Sequence, residues 1–511
     1  MQDSPSKASA LERYSDIVDD YEAFVSCSSS SLPQSCWVPP HRKWGSKLML
    51  ESGAASLAWN PTAFRDWSFS KAFVLSFLTG ACVIQEEAAM FPIHALAPHK
   101  GQSVLDLCAA PGNKAAQIAS MVGHEGLVVA NDVSASRMNV VRGLVDRVGF
   151  PNVLLSNHDA ATFPETGFLY DAVVADVPCS CEGTSRKHPA VLRIQHSQQR
   201  AQLAQLQEKI LRKAIRLTKP GGKIVYATCT YAPEENERVL HAVMTAPEEN
   251  QDVRLVEVSL PDLQFSPGLT EWRGEAFHPS MQNAVRIWPH HQDTGGFFFG
   301  ILQKKRANQS DSVLSPTQNT FSSYSKAIDL EMEPWRFHDL DDAGLAALGS
   351  IHTGGKYDRL VTRNSFPEGL MEITRGMTGL NRKSETPRWS TSLAQTIGGR
   401  ARAGIVTIRR EDALSYFLRK AVPFVSIVAP EGPTRFVLVR IRDIPPFDGR
   451  ALGDDITLEN SITVGLGHIS AREPTLVESM FPKNWGALNV EQWISSQTRK
   501  GAGQLLKSEA K

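Results

Sequence analysis

The chain has no excess of either charge, with 54 Lys and Arg against 54 Asp and Glu in 511 residues. It therefore lacks the long-range field that draws basic proteins to polyanions, so any nucleic-acid contact has to come from local patches. Long apolar runs are missing too. None approaches about eighteen residues, so no membrane-spanning helix is expected. The opening MQDSPSKASALERYSDIVDDYEAF has neither the apolar core of a secretory signal nor the acid-poor, Arg-rich face of a transit peptide. The 7 cysteines are odd in number and scattered, without the spacing of a paired zinc-ligand set. A soluble protein in a reducing intracellular compartment, with no disulfide framework, is the expectation. Internal repeats and the dinucleotide G-x-G-x-x-G pattern are also absent.

What is present is a regular alternation. From Ser103, short apolar runs (SVLDLC, GLVVAND, NVLLSNHD, DAVVADV, KIVYATC) take turns with helical patterns (NKAAQIASMV, SASRMNVVRGLVDRV, QHSQQRAQLAQLQEKILRKAIRLT, PEENERVLHAV). That order predicts an α/β fold with a doubly wound, mostly parallel Rossmann-like sheet, closed by the strand-like NAVRIWP and GGFFFGILQK. KPGG before KIVYATC reads as a turn, and Leu203, Leu206, Ile210 and Ile215 of the long helix read as core. The length suits about three domains. The organisation expected is an N-terminal lead-in region over 1–95, a catalytic domain over 96–305, a polar linker over 306–328, a mostly β domain over 329–490 and a polar tail over 491–511.

Three basic stretches offer local contacts for a polyanion: His41 to Lys47, Ser185 to His188, and Arg382 with Lys383. The acidic residues Asp106, Asp132 and Asp159 each follow one of the first three strands. Such positions suit a nucleoside-bearing ligand laid across the carboxyl edge of a doubly wound sheet, although each Asp taken singly equally suits a turn or helix cap. Small residues in DLCAAPGNK, between the first strand and helix, allow a ligand close to the backbone. His290 and His291 suggest a metal, but adjacent histidines on a strand point to opposite faces, so none is expected.

Two cysteines stand out, Cys179 in ADVPCSCEGT and Cys229 in YATCTYAPEEN. Each ends an apolar run. Taken alone, each reads as a small buried hydrophobe. As a pair at strand ends they suggest a covalent bond to a substrate that is made and then undone.

In its ordered motifs DLCAAPGNK, ANDVSASR, NHDA, DVPCS, TCTYAPEEN and PHHQDTGGFF, the chain resembles the RNA (cytosine-5)-methyltransferases of the Nol/Nop/Sun family, and within it the eukaryotic tRNA branch. The resemblance covers roughly Thr79 to Lys305, including the lead-in LTGACVIQEEAAMFP. It implies S-adenosyl-L-methionine as cofactor, held by Cys108, Ala109, Ala110, Pro111, Gly112, Asn113, Lys114, Asp132, Arg137, Asp159 and Asp176. It implies Cys229 as the nucleophile adding to cytosine carbon 6, Cys179 as the group assisting release, and Asp176 at the ring edge. It places Lys114 near the base, where its charge would either lower a thiol pKa or stabilise the addition product. RNA, most specifically tRNA, is the implied partner of a monomeric, nuclear or cytoplasmic enzyme. A catalytically silent RNA-binding scaffold is the competing reading, as is the same chemistry on rRNA or mRNA. Cys181 stands where the family commonly has Gly and is read as non-catalytic. The β region around EITRGMTGLN is loosely similar to PUA-type RNA-binding barrels.

Overall fold

The computed structural model describes residues 10–193, 197–246 and 253–306, and beyond them 351–352, 357–361, 367–381, 388–429, 436–442, 462–469, 473 and 475–480. The expected linker over 306–328, apart from its first residue, and the tail over 491–511 lie outside these, as do Arg382 and Lys383.

The alternation from Ser103 builds the central sheet. Its strands are β1 (Ser103–Asp106), β2 (Leu127–Asn131), β3 (Val153–Ser156), β4 (Tyr170–Asp176), β5 (Thr218–Thr228), β6 (Val253–Val256), β7 (Ser266–Pro267), β8 (Val285–Ile287), β9 (Phe297–Lys304) and β10 (Glu372–Arg375). The described strands run in the order β7-β8-β9-β5-β4-β1-β2-β3-β10, with β6 on β9. The five strands β5-β4-β1-β2-β3 are parallel, and β9 returns antiparallel along β5.

From β1 the chain winds outward through β2 and β3, then crosses to β4 on the other side. The carboxyl ends of β1 and β4 are therefore the switch point, where such sheets open a crevice. Side chains alternate across the sheet. Val104 and Val128 pack with Ile118 of α2 (Asn113–Val122) and Val141 of α3 (Ala135–Val148). Leu105 and Val129 share the opposite core with Ile210 of α4 (Ser197–Leu217) and Val239 of α5 (Glu237–Thr245).

Two local expectations change. Ile210 and Ile215 are core, but Leu203 and Leu206 are only half-buried, because the buried stripe of α4 runs through Ala204, Gln207, Leu211 and Ala214. The polar Gln207 lies on this buried stripe, its amide donating to Pro178 O at 2.9 Å. KPGG is drawn into β5 rather than forming a separate turn, and the register against β4 shifts between Tyr170 and Ala172.

The flanking regions are tied into this frame. A four-stranded N-terminal sheet and the helix Lys71–Leu78 share one apolar cluster with the six-stranded C-terminal sheet, through residues such as Phe64, Phe73, Val406, Tyr416 and Val437. Of the first basic stretch, two residues are spent on internal ties. Arg42 donates to Gln395 O at 2.8 Å, and His41 Nε2 donates to Val148 O at 3.0 Å, with burial pushing the His41 pKa down to about 3. β10 adds antiparallel to β3 and extends the central sheet.

Beside that junction, Asp146 of α3 accepts from Arg359 at 3.2 Å, from Thr378 N at 2.7 Å and from Thr378 Oγ1 at 3.0 Å. Removing this acceptor strands the two donors of Thr378, while Arg359 keeps Gly376 O, so Asp146→Ala is expected to lower the unfolding free energy by roughly 2 kcal/mol. Urea unfolding of the full chain measures it; a loss under about 0.5 kcal/mol, the range of ordinary surface changes, would show that these bonds do not hold the two parts together.

Candidate active site

The parallel pairing of β4 with β5 sets Asp176 opposite Ala227, so the segments that follow, Val177–Cys181 and Cys229–Tyr231, leave the sheet side by side. The Cys179 and Cys229 sulfurs lie 3.5 Å apart, and Cys181 Sγ is 3.9 Å from Cys179 Sγ. All three cysteines are half-buried. Next to them Lys114 Nζ donates to Asp176 Oδ2 at 2.6 Å and sits 4.9 Å from the centre of the Phe297 ring.

This neighbourhood alters the expected electrostatics of Cys229. Lys114 is held by Asp176, and the Cys229 thiol is pushed well above its ordinary pKa: the hydrogen bond with Cys179 favours the thiolate, but the one with Cys181 and burial outweigh it. Cys179 is pushed up as well, by its bonds to Cys181 and Cys229 and then by burial. One thiolate among three adjacent sulfurs opposes a second. Hydrogen bonds from Cys179 and Cys229 favour that charge on Cys181, drawn down to about 3. Lys114 and Cys229 attract each other, so the expected pull of Lys114 on this thiol is present, but Cys181 and burial outweigh it in the resting protein.

The two cysteine segments are stitched together by residues just beyond them. Ser180 Oγ and Thr230 Oγ1 are 2.7 Å apart. Glu235 Oε2 accepts from Ser180 N at 3.0 Å and from Gln207 at 2.9 Å. Asn236 accepts from Thr228 Oγ1 at 2.6 Å and donates to Thr230 O at 3.0 Å. The PEEN run, expected as the start of a helix, is thus a turn whose polar side chains brace both segments, and α5 begins only at Glu237. Gly183 N donates to Cys229 O, and Gly296 N to Gly183 O, each at 2.9 Å. A β-carbon on Gly183 would stand 2.1 Å from Gly296 O, and one on Gly296 would stand 2.0 Å from the Tyr231 ring, so neither position admits a side chain.

At the same sheet edge, Cys108 to Gly112 form the loop between β1 and α2. Ala109 N donates to Asn131 O and Gly112 N to Ala109 O, each at 2.7 Å, and the Ala110–Pro111 peptide is cis. Gly112 has φ +110°, and a β-carbon there would come within 3.1 Å of Val141. Arg137 bridges Asp132 at 3.2 Å and donates to Ala110 O at 2.7 Å. Neither oxygen of buried Asp106 has a partner at full hydrogen-bond geometry, although the backbone N–H of Cys108 favours its charged form. A buried carboxyl with acceptor capacity to spare, a backbone cradle too tight for a side chain and the Asp132 carboxylate together fit a ligand rich in hydroxyl and amino donors. Asp159 is exposed and accepts from Ala161 N at 2.9 Å, so its carboxylate caps a short turn.

The second basic stretch splits. Lys187 and His188 are exposed, whereas buried Arg186 donates to Thr294 O at 2.8 Å and to Asp293 at 2.6 Å. His290 and His291 lie not on a strand but in the helical turn Pro289–Gln292, so their rings do not diverge. Each Nε2 is 2.9 Å from a different oxygen of Asp19.

The site also includes residues that carry no motif in the sequence. The N-terminal segment covers the outside of the cysteine loops, with Leu11, Tyr14 and Phe24, the last on α1 (Tyr21–Ser29), packed against Tyr231 and Trp288. The Tyr14 hydroxyl donates to buried Glu182, one residue after Cys181. The spacing of Leu11, Tyr14 and Val18 was the available signal, because it places three apolar side chains on one helical face.

Residues 93–303 match the family model described as 16S rRNA methyltransferase RsmB/F. The human (Homo sapiens) 28S rRNA (cytosine(4447)-C(5))-methyltransferase is 35% identical over 232 residues, which is 45% of this chain but only 28% of that protein's length. The tRNA (cytosine(49)-C(5))-methyltransferase of Pyrococcus abyssi is 31% identical over 233 residues, 46% of this chain and 73% of the relative. Among solved structures, that of PH0851 superposes with a TM-score of 0.51 at 27% identity, covering 60% of this chain and 70% of its own.

Asp106 provides a test by pH. Burial pushes its carboxyl up to about 7; Lys114 pulls it down, and Asp176 and Asp132 push it up. Its folded pKa exceeds the unfolded value of 3.8, so the folded chain holds a proton that the unfolded chain releases. The associated stability is present at acid pH and is lost as pH rises from about 4 to about 7. In Asp106→Asn that loss should disappear, flattening the pH dependence of the unfolding free energy across this window. Equal slopes for the two proteins would refute a buried, protonated Asp106.

Proposed function

Because the chain belongs to the RNA cytosine-C5 methyltransferase family, we propose that it transfers a methyl group from S-adenosylmethionine to carbon 5 of a cytosine in RNA, with tRNA as its substrate. The observation that carries this reading is the pair of sulfurs, Cys179 and Cys229, 3.5 Å apart beside the Lys114–Asp176 ion pair at the switch point of the sheet. A single reactive thiol would suit many chemistries. Two at that spacing suit one that attacks a ring and a second that helps to free it.

S-adenosylmethionine, when bound, supplies an electrophilic methyl group. The loop Cys108–Asn113, Asp132 and the carboxyl oxygens of Asp106 are the groups that would hold it. Asp176 takes the edge of the flipped-out cytosine and favours protonation at nitrogen 3, which makes the ring electrophilic at carbon 6. Cys229 Sγ adds there, and the electron pair displaced onto carbon 5 makes that carbon a nucleophile. Once carbon 5 has taken up the methyl group, its proton passes to a water acting as base and the Cys229 thiolate is expelled, with Cys179 assisting, which restores the aromatic ring. Cys229 rests as a thiol, so its ionisation belongs to the substrate-bound state. Engagement of Asp176 by the base loosens its hold on Lys114 and frees that ammonium to stabilise the adjacent thiolate. Asp159, exposed at its turn, is assigned to the outer rim of the cofactor site, and Arg137 orients Asp132.

Support for an RNA substrate comes from the names of the relatives, which specify both rRNA and tRNA positions. The preference for tRNA rests on the motif resemblance, so the assay has to offer both. Labelled methyl transfer to purified tRNA and rRNA, followed by bisulfite sequencing, should place 5-methylcytosine in tRNA. Incorporation into rRNA alone would overturn the tRNA assignment, and none into any RNA would favour the silent scaffold. Cys229→Ala should lower transfer roughly a thousandfold or more while cofactor binding persists. Cys179→Ala should slow turnover and leave a protein–RNA adduct visible on a denaturing gel. Full activity of the first variant, or no adduct with the second despite bound RNA, would reassign these roles.

A further inference from the structure

Cys181 has no place in that reaction, yet its sulfur lies with the other two. We propose that Cys179, Cys181 and Cys229 form a chelating site for a single thiophilic d10 cation, Zn2+ in the first instance, and that occupation of this site closes the enzyme to its substrate. The binding site stands on geometry alone; the inhibition rests on the reaction proposed above.

Zinc binds thiolate at about 2.3 Å in a tetrahedron, which sets neighbouring sulfurs about 3.8 Å apart. Here the Cys179 sulfur is 3.5 Å from Cys229 and 3.9 Å from Cys181, and all three lie within 4.8 Å of one another. Two of the three separations already stand close to the spacing that zinc sets. Nor is the cluster loosely held, since the segments carrying it are joined by the Ser180–Thr230 bond, the Glu235 carboxylate and the Gly183–Cys229 backbone bond.

The third ligand is there because of an unfavourable backbone. Cys181 has φ +61° and ψ 22°, in the left-handed region where a residue with a side chain is strained. Its Sγ folds back to 3.2 Å from Cys179 O, over the other two sulfurs. Glycine, which the resemblance leads one to expect at this position, would fit the same backbone freely and contribute no ligand. The nearest buried cation, Lys114, does not oppose a metal, because Asp176 neutralises it at 2.6 Å. Other paired histidines of the chain are poorer candidates: His290 and His291 already share Asp19 through hydrogen bonds.

Binding changes no oxidation state. The metal takes three sulfur lone pairs, the protons still on the thiols pass to solvent, and the fourth position remains for water or an external ligand. The sulfur that would add to cytosine is then coordinated and no longer free to attack.

The test uses the full chain, stripped of metal and kept reduced with a phosphine. Titration with Cd2+ should raise the sulfur-to-cadmium charge-transfer absorbance to an end point of one ion per chain, and Zn2+ should compete for the same site. Cys181→Gly, which relieves the left-handed strain, should fold as stably, retain methyl transfer and bind Cd2+ roughly tenfold or more weakly. Added Zn2+ should stop methyl transfer by the wild type, reversibly with a chelator, at a concentration the variant tolerates. No stoichiometric absorbance in the wild type, or binding undiminished in Cys181→Gly, would overturn the site while leaving the proposed reaction intact. Stoichiometric binding by a wild-type chain that methylates no RNA would establish the site and overturn the reaction instead. Equal inhibition of both proteins by Zn2+ would overturn the link between site and activity.

Discussion

The register of β4 against β5 is the constraint from which the site follows. Both strands are parallel, buried and part of one ladder, so the pairing of Asp176 with Ala227 fixes where each chain leaves the sheet. A shift by one residue would turn each side chain of one strand to the opposite face. The sulfurs of Cys179 and Cys229 would then no longer meet. Register alone is not sufficient, because both cysteines lie just past the strands, on irregular backbone. The turn carrying Glu235 and Asn236 supplies what the ladder cannot, with side-chain bonds to both segments.

Much of this was legible because the signals were local and repeated. Strand runs such as LVVAN and AVVAD are continuous and apolar, as strands covered on both faces must be. The pairing of Cys179 and Cys229 was legible because both lie at the ends of such runs, and the structure brings their sulfurs together. Asp132 and Arg137 were legible only as a pattern, and the structure adds that Arg137 clamps Asp132 to the loop at Ala110.

What was not legible depends on partners remote in the chain. No sequence window shows that Tyr14 reaches Glu182, that Arg42 is consumed by Gln395, or that Gln207 reaches Pro178. The histidine pair was misread for a local reason: Pro289 opens a helical turn where a strand had been expected, and Pro is favoured at the first position of a helix. The direction of the Cys229 pKa was missed because Lys114 was counted without the Cys181 thiol and the burial that outweigh it.

The edge strand β10 has a consequence for the life of the chain before it is complete. Strand β3 would otherwise present an open row of backbone donors and acceptors, the kind of edge along which two chains join. Its cover arrives very late in synthesis, since the neighbouring bonds from Thr378 to Asp146 link residues 232 positions apart. Closing so long a loop adds little to its entropic cost compared with one half as long, but it imposes a delay. During translation the methyltransferase core therefore emerges with one side unguarded, and a ribosome that stalls before β10 releases a chain whose exposed edge is a template for aggregation.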